Sequence, residues 1–175
     1  KVARDNDLSL HMDGARLMNA VVSASVSAAD FAATVDSVWL DLSKGLGCPV
    51  GAVLAGSREF IHEAWRWKHR IGGAMRQAGV IAAAGSWALK HHVDRLAEDH
   101  ENAGLLADRV SALDGVALIN DKIETNMVFF DVSGTNFSAP EISARLRERG
   151  IWIGAFDQQK MRVVTHLDVG REDII

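Results

Sequence analysis

Two short apolar stretches, each running into a small-residue turn that carries charge, constrain this chain most. The first covers residues 8–12 and is followed by Asp13-Gly14-Ala15-Arg16; the second covers residues 37–42 and is followed by Ser43-Lys44-Gly45-Leu46-Gly47. Leu8, Leu10 and Met12 alternate with polar neighbours, the period-two mark of a strand with one buried face. A helical stripe of Leu17, Met18, Val21 and Val22 comes next. A strand that hands over to a helix through a glycine turn is the unit of open α/β sheets, and those sheets hold ligands at the rim where the strands end. Asp13 and Lys44, 31 positions apart, both stand at such a rim.

The remaining pattern predicts a two-part organisation. Ser27, with Asp30 three residues on, starts a short helix over 28–35, and 51–55 reads as a further strand. Residues 58–70 are helical, with Phe60, Ile61, Ala64 and Trp65 facing inward, before Gly72-Gly73 interrupts the chain. From 74 to 113 there is no proline and Ala, Leu, Arg and Glu dominate, so one long helix is expected, bent near Gly85 or Gly104 and linking two domains. After the Asp114-Gly115 turn the texture changes to strands at 116–119, 126–132, 151–155 and 161–166. Among them Ser138-Ala139-Pro140-Glu141 supplies an N-cap, an early proline and a capping-box glutamate, and Gly150 closes that helix. The expected class is α/β: residues 1–99 form part of a large, mostly parallel α/β domain ending in the linking helix, and residues 100–175 form a small α+β domain.

Composition narrows the function classes. A net charge of −4 with mixed signs argues against nucleic acid, whose binding modules gather Lys and Arg on one face. No apolar run approaches the ~20 residues that cross a bilayer, so no membrane role is expected. The single cysteine, Cys48, excludes an internal disulfide framework and fits a reducing, cytoplasmic setting. It is read as a small packing residue. His91, His92, Asp94 and His100 lie on a helical stretch, but adjacent histidines point in different directions, so no metal site is expected. Trp39, Trp65, Trp67, Trp87 and Trp152 are read as core and interface residues. The absence of an initiating Met and the helix-like start at 170–175 both read as the interior of a longer sequence.

Four places carry chemistry. Lys44 is an ordinary surface lysine unless its surroundings shield it; Leu42 and Leu46 flank it, and Gly45 and Gly47 allow close backbone approach to a ligand. A partly desolvated lysine yields an amine that attacks aldehydes. Asp13 is either a helix N-cap or, at a strand end, a carboxylate able to keep a pyridine nitrogen protonated. Carboxylate and amine together are what pyridoxal 5′-phosphate requires of a protein. Arg16 lies one helical turn from Asp13 and can reach the cofactor's phenolic oxygen or a substrate carboxylate. Arg76, in Gly72-Gly73-Ala74-Met75-Arg76-Gln77-Ala78-Gly79, opens a helix where its charge opposes the dipole, which an anion would offset. Arg162, in Arg162-Val163-Val164-Thr165-His166, is either an edge-strand charge or a two-point anchor for an amino-acid carboxylate.

These pieces, His11-Met12-Asp13-Gly14-Ala15-Arg16, Leu42-Ser43-Lys44-Gly45-Leu46-Gly47-Cys48-Pro49-Val50-Gly51, Gly72 to Gly79 and Arg162 to Val169, jointly resemble the low-specificity L-threonine aldolases, in order along nearly the whole chain. Ala74 stands where that family commonly has a third glycine, and His69 near a common lysine. The resemblance implies a fold-type-I, pyridoxal-phosphate-dependent architecture in which Lys44 forms the Schiff base and Asp13 pairs with the pyridine nitrogen. Arg16 and Arg162 would hold the substrate carboxylate, and Arg76 would lie near the cofactor or a neighbouring subunit's site. It further implies an upstream segment with phosphate-binding small residues and a ring-stacking histidine. The implied reaction is retro-aldol cleavage of L-threonine, L-allo-threonine and related β-hydroxy-α-amino acids to glycine and an aldehyde, in a homodimer or homotetramer. The alternatives are another chemistry on the same cofactor, serine hydroxymethyl transfer or β-elimination, or a non-catalytic oligomerising fragment.

Overall fold

The computed structural model describes residues 1–175, which divide into two compact units, Lys1–Arg95 and Leu96–Ile175. The first unit contains a four-residue helix α1 (Val2–Asp5), strand β1 (His11–Gly14), helices α2 (Leu17–Ala24) and α3 (Ala28–Ala32), strands β2 (Ser37–Asp41) and β3 (Ala52–Gly56), and helices α4 (Arg58–Arg70) and α5 (Gly79–His91). Its sheet has the order β1-β2-β3, with β1 parallel to β2 and β3 antiparallel to β2. Parallel neighbours need a crossover of a dozen or more residues, and α2 with α3 supplies it. Ser27 caps α3 as its spacing to Asp30 predicts, its hydroxyl accepting from the Asp30 N–H at 3.1 Å.

The first strand sits three residues later than the alternation of leucines suggests. Leu8 is outside it and 61% exposed, while Asp13 and Gly14 are inside it, paired in register with Trp39 and Leu40. Gly14 is required there, because a Cβ at that position would run into the backbone carbonyl of Trp39. The main buried cluster of this unit is small: Leu42, Leu46, Cys48 and Ala88, with Met18, Leu40, Ala84 and Val93 packed against them, while Leu17 and Val38 are buried outside it.

Two expectations for the helices fail. Helix α4 has the predicted bounds, and Ser57 caps it through the Phe60 N–H, yet of the face expected inward only Ile61 and Ala64 are half-buried, and Phe60 and Trp65, like Trp67, are exposed. Nor do the other tryptophans build a core; Trp87 and Trp152 are exposed and Trp39 is half-buried. The single long helix over 74–113 is instead two, α5 and α6 (Leu96–Ser111), separated by turns at 92–95. The break falls at neither glycine, and Gly85 is buried inside α5, against Leu42. His92 ends α5 because its ring is engaged elsewhere: Nδ1–H donates to the Leu46 carbonyl at 2.6 Å.

The second unit opens with α6 and continues with β4 (Ala117–Leu118), β5 (Met127–Asp131), α7 (Ala139–Arg147), β6 (Gly154–Ala155), β7 (Lys160–Val164) and α8 (Arg171–Ile174). Its four strands form an antiparallel sheet of order β4-β5-β7-β6. Ala103 and Ala107 of α6, Val128 and Phe130 of β5, Val132, Ala139 and Met161 make one buried cluster. The α7 start is the capping box read from the sequence, with the Glu141 carboxylate accepting from the Ser138 N–H at 2.8 Å. Thr165 ties the sheet to α6, donating its hydroxyl to the Asp99 carbonyl at 2.6 Å.

Candidate active site

Side chains alternate across a strand and register partners share a face. The pairing of β1 with β2 therefore places His11 and Asp13 on the same face as Ser37, Trp39 and Asp41. A 2.9 Å contact between His11 Nδ1 and Ser37 Oγ confirms that face at the other end of the pair. Asp13 is not a helix cap: α2 starts at Leu17, and the Asp13 Oδ1 accepts only the nearby Ala15 N–H, at 3.0 Å. Its side chain remains exposed.

Lys44 arrives on the same face by a tight turn past the carboxyl end of β2. Asp41 Oδ1 accepts from the Ser43 N–H at 2.8 Å and from the Ser43 hydroxyl at 2.7 Å, which reverses the chain. The Gly47 N–H closes on the Lys44 carbonyl at 2.9 Å, with Gly47 at φ 68°, a left-handed conformation that glycine adopts without strain. The Cys48 N–H then returns to the Leu42 carbonyl, also at 2.9 Å. Leu46, 2% exposed, plugs the loop into the core, and His92 holds its carbonyl. From this frame the lysine ammonium lies 3.0 Å from Asp41 Oδ2 and 5.2 Å from the centre of the Trp39 ring. Trp39 is the register partner of Asp13, so the amine and the carboxylate both neighbour one residue on one face of the sheet.

The electrostatics of the loop centre on Asp41. Burial pushes its carboxyl up, but the Ser43 N–H and hydroxyl and the Lys44 ammonium outweigh burial and hold it below its ordinary 3.8. Cys48 goes the other way: burial, then the Asp41 charge, raises its thiol above 9.0, so it stays protonated and unreactive. Asp41 and Trp39 were not singled out from the sequence as partners of Lys44. The signal was an aspartate at a strand end, two residues before a serine and three before the lysine.

The arginines are placed differently from expectation. Arg16 is half-buried and immediately precedes α2, at the carboxyl end of β1. Arg76 does not open a helix; it lies in an exposed turn, and α5 begins only at Gly79. Its charge therefore does not stand in the first turn of a helix and opposes no helix dipole there. Arg162 is not an edge-strand charge, because β7 runs between β5 and β6. It pairs in register with Phe129 and Gly154, and is exposed on the face opposite the buried Met161.

The beta-eliminating lyase family model matches residues 1–133. The chain is 42% identical over 171 residues to the low-specificity L-threonine aldolase of Escherichia coli, an alignment covering 98% of this chain and 49% of that protein. It is 37% identical over 175 residues to low-specificity L-threonine aldolase 1 of Arabidopsis thaliana, covering 99% and 49%. The chain thus spans about half the length of the curated relatives it matches. Among solved structures, a candidate L-allo-threonine aldolase from Listeria monocytogenes superposes with a TM-score of 0.81 at 27% identity, covering 94% of this chain and 48% of that one. Its fold is the α/β fold of these fold-type-I enzymes. With a matching family model over three quarters of its length and an amine and a carboxylate at neighbouring strand ends, the chain belongs to the beta-eliminating lyase family.

Proposed function

We propose that this protein is a pyridoxal-phosphate-dependent aldolase that cleaves L-threonine, L-allo-threonine and related β-hydroxy-α-amino acids to glycine and an aldehyde. The observation that carries this reading is the placement of Lys44 and Asp13 beside the same residue, Trp39, on one sheet face. That donor set fits the cofactor: a primary amine for its aldehyde and an exposed carboxylate for its ring nitrogen. The names carried by the relatives support the aldolase reaction in particular.

Lys44 and Asp13 would hold the cofactor, with Arg16 at its phenolic oxygen or at the substrate carboxylate. When bound, it supplies an electron sink that stabilises negative charge on the carbon next to the substrate nitrogen. The Asp13 carboxylate favours a proton on the ring nitrogen, which deepens that sink. Arg162 would fix the substrate carboxylate through a two-point fork, and Arg76 would serve the cofactor or a neighbouring copy's site. The buried Cys48 thiol, kept protonated, does not compete with Lys44 for an aldehyde.

The same reading includes a homodimer or homotetramer in the cytoplasm. Exposed Phe60, Trp65, Trp67 and Trp87 on α4 and α5 support assembly, and a free cysteine suits a reducing compartment. No helix is long and apolar enough to cross a membrane.

The test is product analysis on the full protein with L-threonine and pyridoxal phosphate. Glycine and acetaldehyde, without added folate, support the aldolase. 2-Oxobutyrate with ammonia would instead favour β-elimination, the reading that the family match keeps alive. Lys44→Ala is expected to remove the absorbance band that the cofactor gains on binding and to lower the rate by at least about 10³-fold. Retention of both would refute the assignment of Lys44.

A further inference from the structure

Lys44 has two conflicting needs. To capture an aldehyde, its ammonium must first give a proton to solvent; the neutral amine then attacks the carbonyl carbon, a C–N double bond forms and water leaves. Between such events the side chain is long, 40% exposed and able to attack at the wrong moment. The structure contains a device for that interval. Asp41, whose side chain is 6% exposed, directs one oxygen to the Ser43 N–H and hydroxyl and the other, at 3.0 Å, to the Lys44 Nζ. The Trp39 ring covers the same ammonium at 5.2 Å.

We propose that Asp41, with Trp39, forms a parking site for the Lys44 ammonium, occupied whenever that amine is not bonded to an aldehyde, and that Asp41 is therefore a positioning residue of the reaction. The proposal rests on the reading of Lys44 as the aldehyde-capturing amine. An anion and an aromatic face both favour the charged amine over the neutral one. Because its carboxyl is held below the usual carboxylate range, Asp41 is a weak base and a poor acceptor of the lysine proton, so it holds the ammonium without activating it. Once free of an aldehyde, the amine would take a proton from solvent and be held against Asp41 as the ammonium, withheld from attack.

The other groups around the loop do not offer the same hold. Cys48 stays a neutral thiol, and the His92 ring is committed to the Leu46 carbonyl. Asp13 stands on the neighbouring strand, with the Trp39 position between it and the β3 side of the sheet. The two oxygens of Asp41 also divide its structural and electrostatic duties. Asn in its place keeps an acceptor for Ser43 and loses the charge that faces Lys44.

The experiment uses the full protein, stripped of bound aldehyde with hydroxylamine. One arm adds pyridoxal phosphate followed by borohydride and maps the pyridoxyl adduct by mass spectrometry. The other measures the rate of Lys44 acetylation by trace acetic anhydride from pH 6 to 11. Asp41→Asn is expected to acetylate Lys44 about three- to tenfold faster near pH 8, with the whole profile displaced to lower pH. Trp39→Leu should move it the same way by less. Asp41→Glu, which restores the charge, should return the profile toward that of the parent protein. Ser43→Ala, which removes one bond of the turn and keeps the ion pair, should leave the profile in place, showing that a loosened loop is not the cause. An adduct at Lys44 with an unchanged acetylation profile in Asp41→Asn would overturn the role given to Asp41 alone. Absence of any adduct at Lys44 would overturn the reading of the lysine itself, and the parking site with it.

Discussion

The two units of this chain spend their apolar residues in opposite ways. The second folds an antiparallel sheet onto α6 and α7 and buries a cluster of seven residues, with Met161, Val128, Ala103 and Ala139 fully shielded. The first gathers only four of its buried apolar residues into one cluster, with Leu17 and Val38 buried apart from it, and leaves all five residues of β3 and every residue of α4 at least partly exposed. Yet the first unit holds the amine, the carboxylate and the shaped loop. Its order at the site comes from directed polar contacts: Asp41 to Ser43 and Lys44, His92 to Leu46, and backbone bonds across the Lys44 turn. Polar contacts of this kind each contribute little net stability but define geometry closely. Packing dominates one unit and positioning the other.

The largest expected effect tests the packed unit. Met161→Ala removes a fully buried side chain from the centre of its cluster and should destabilise by about 2–5 kcal/mol, measured by urea unfolding. If the loss were under about 1 kcal/mol, the second unit would not owe its stability to that cluster, and the contrast with the first would collapse.

The same contrast explains what was legible in the residues. In the second unit the signals were local and chemically complete: Ser138 with Glu141 is its own capping box, and Gly150, at φ 79°, ends the segment. The β-β-α-β-β order follows from them. In the first unit the apolar pattern of Phe60, Ile61, Ala64 and Trp65 and the Gly72-Gly73 interruption located α4, whose start Ser57 caps. The apolar face of that helix was equally visible, but periodicity says which residues share a face and not what covers them. Within this chain only part of that face is covered: Ile61 and Ala64 are half-buried, while Phe60 and Trp65 stay exposed. The break between α5 and α6 was invisible for a related reason. Nothing in His92-Val93-Asp94-Arg95 forbids a helix, and the contact that ends α5 comes from Leu46, 46 positions away in sequence. The Asp13 and Lys44 pairing was readable because strand ends and small-residue turns are local. The Asp41 contact was not, since an aspartate in an apolar strand reads as its boundary until the turn is seen to bring Lys44 back onto it.

A smaller effect sharpens the comparison from the side of local structure. Ser138→Ala removes the hydroxyl that caps the Glu141 N–H and the partner of the Glu141 carboxylate, and should cost about 1 kcal/mol in the same unfolding measurement. A loss as large as that of Met161→Ala would mean that capping rather than burial limits the second unit. Equal stability to the parent protein would mean that α7 is held by Ala139 and its packed neighbours alone.

The smallest effect on folding belongs to α4, and it is the most discriminating. Trp67 is 57% exposed and stacks only under Arg70, at 5.1 Å from the guanidinium carbon to the ring centre. Trp67→Ala loses that exposed cation–π contact, about 0.5–1 kcal/mol, while alanine is the better helix former by a few tenths of a kcal/mol. The two terms largely offset, so urea unfolding at low protein concentration should change by no more than about 0.5 kcal/mol. Assembly is another matter. If the uncovered face of α4 meets a second copy of the protein, the same substitution removes a large aromatic surface from that contact, and sedimentation should show a smaller species at concentrations where the parent protein remains assembled. Met161→Ala, acting inside its own unit, should weaken folding without that change in size. A Trp67→Ala protein that is both as stable and as large as its parent would show that the exposed face of α4 is not where copies meet, and the first unit's sparse burial would then need a different partner to explain it.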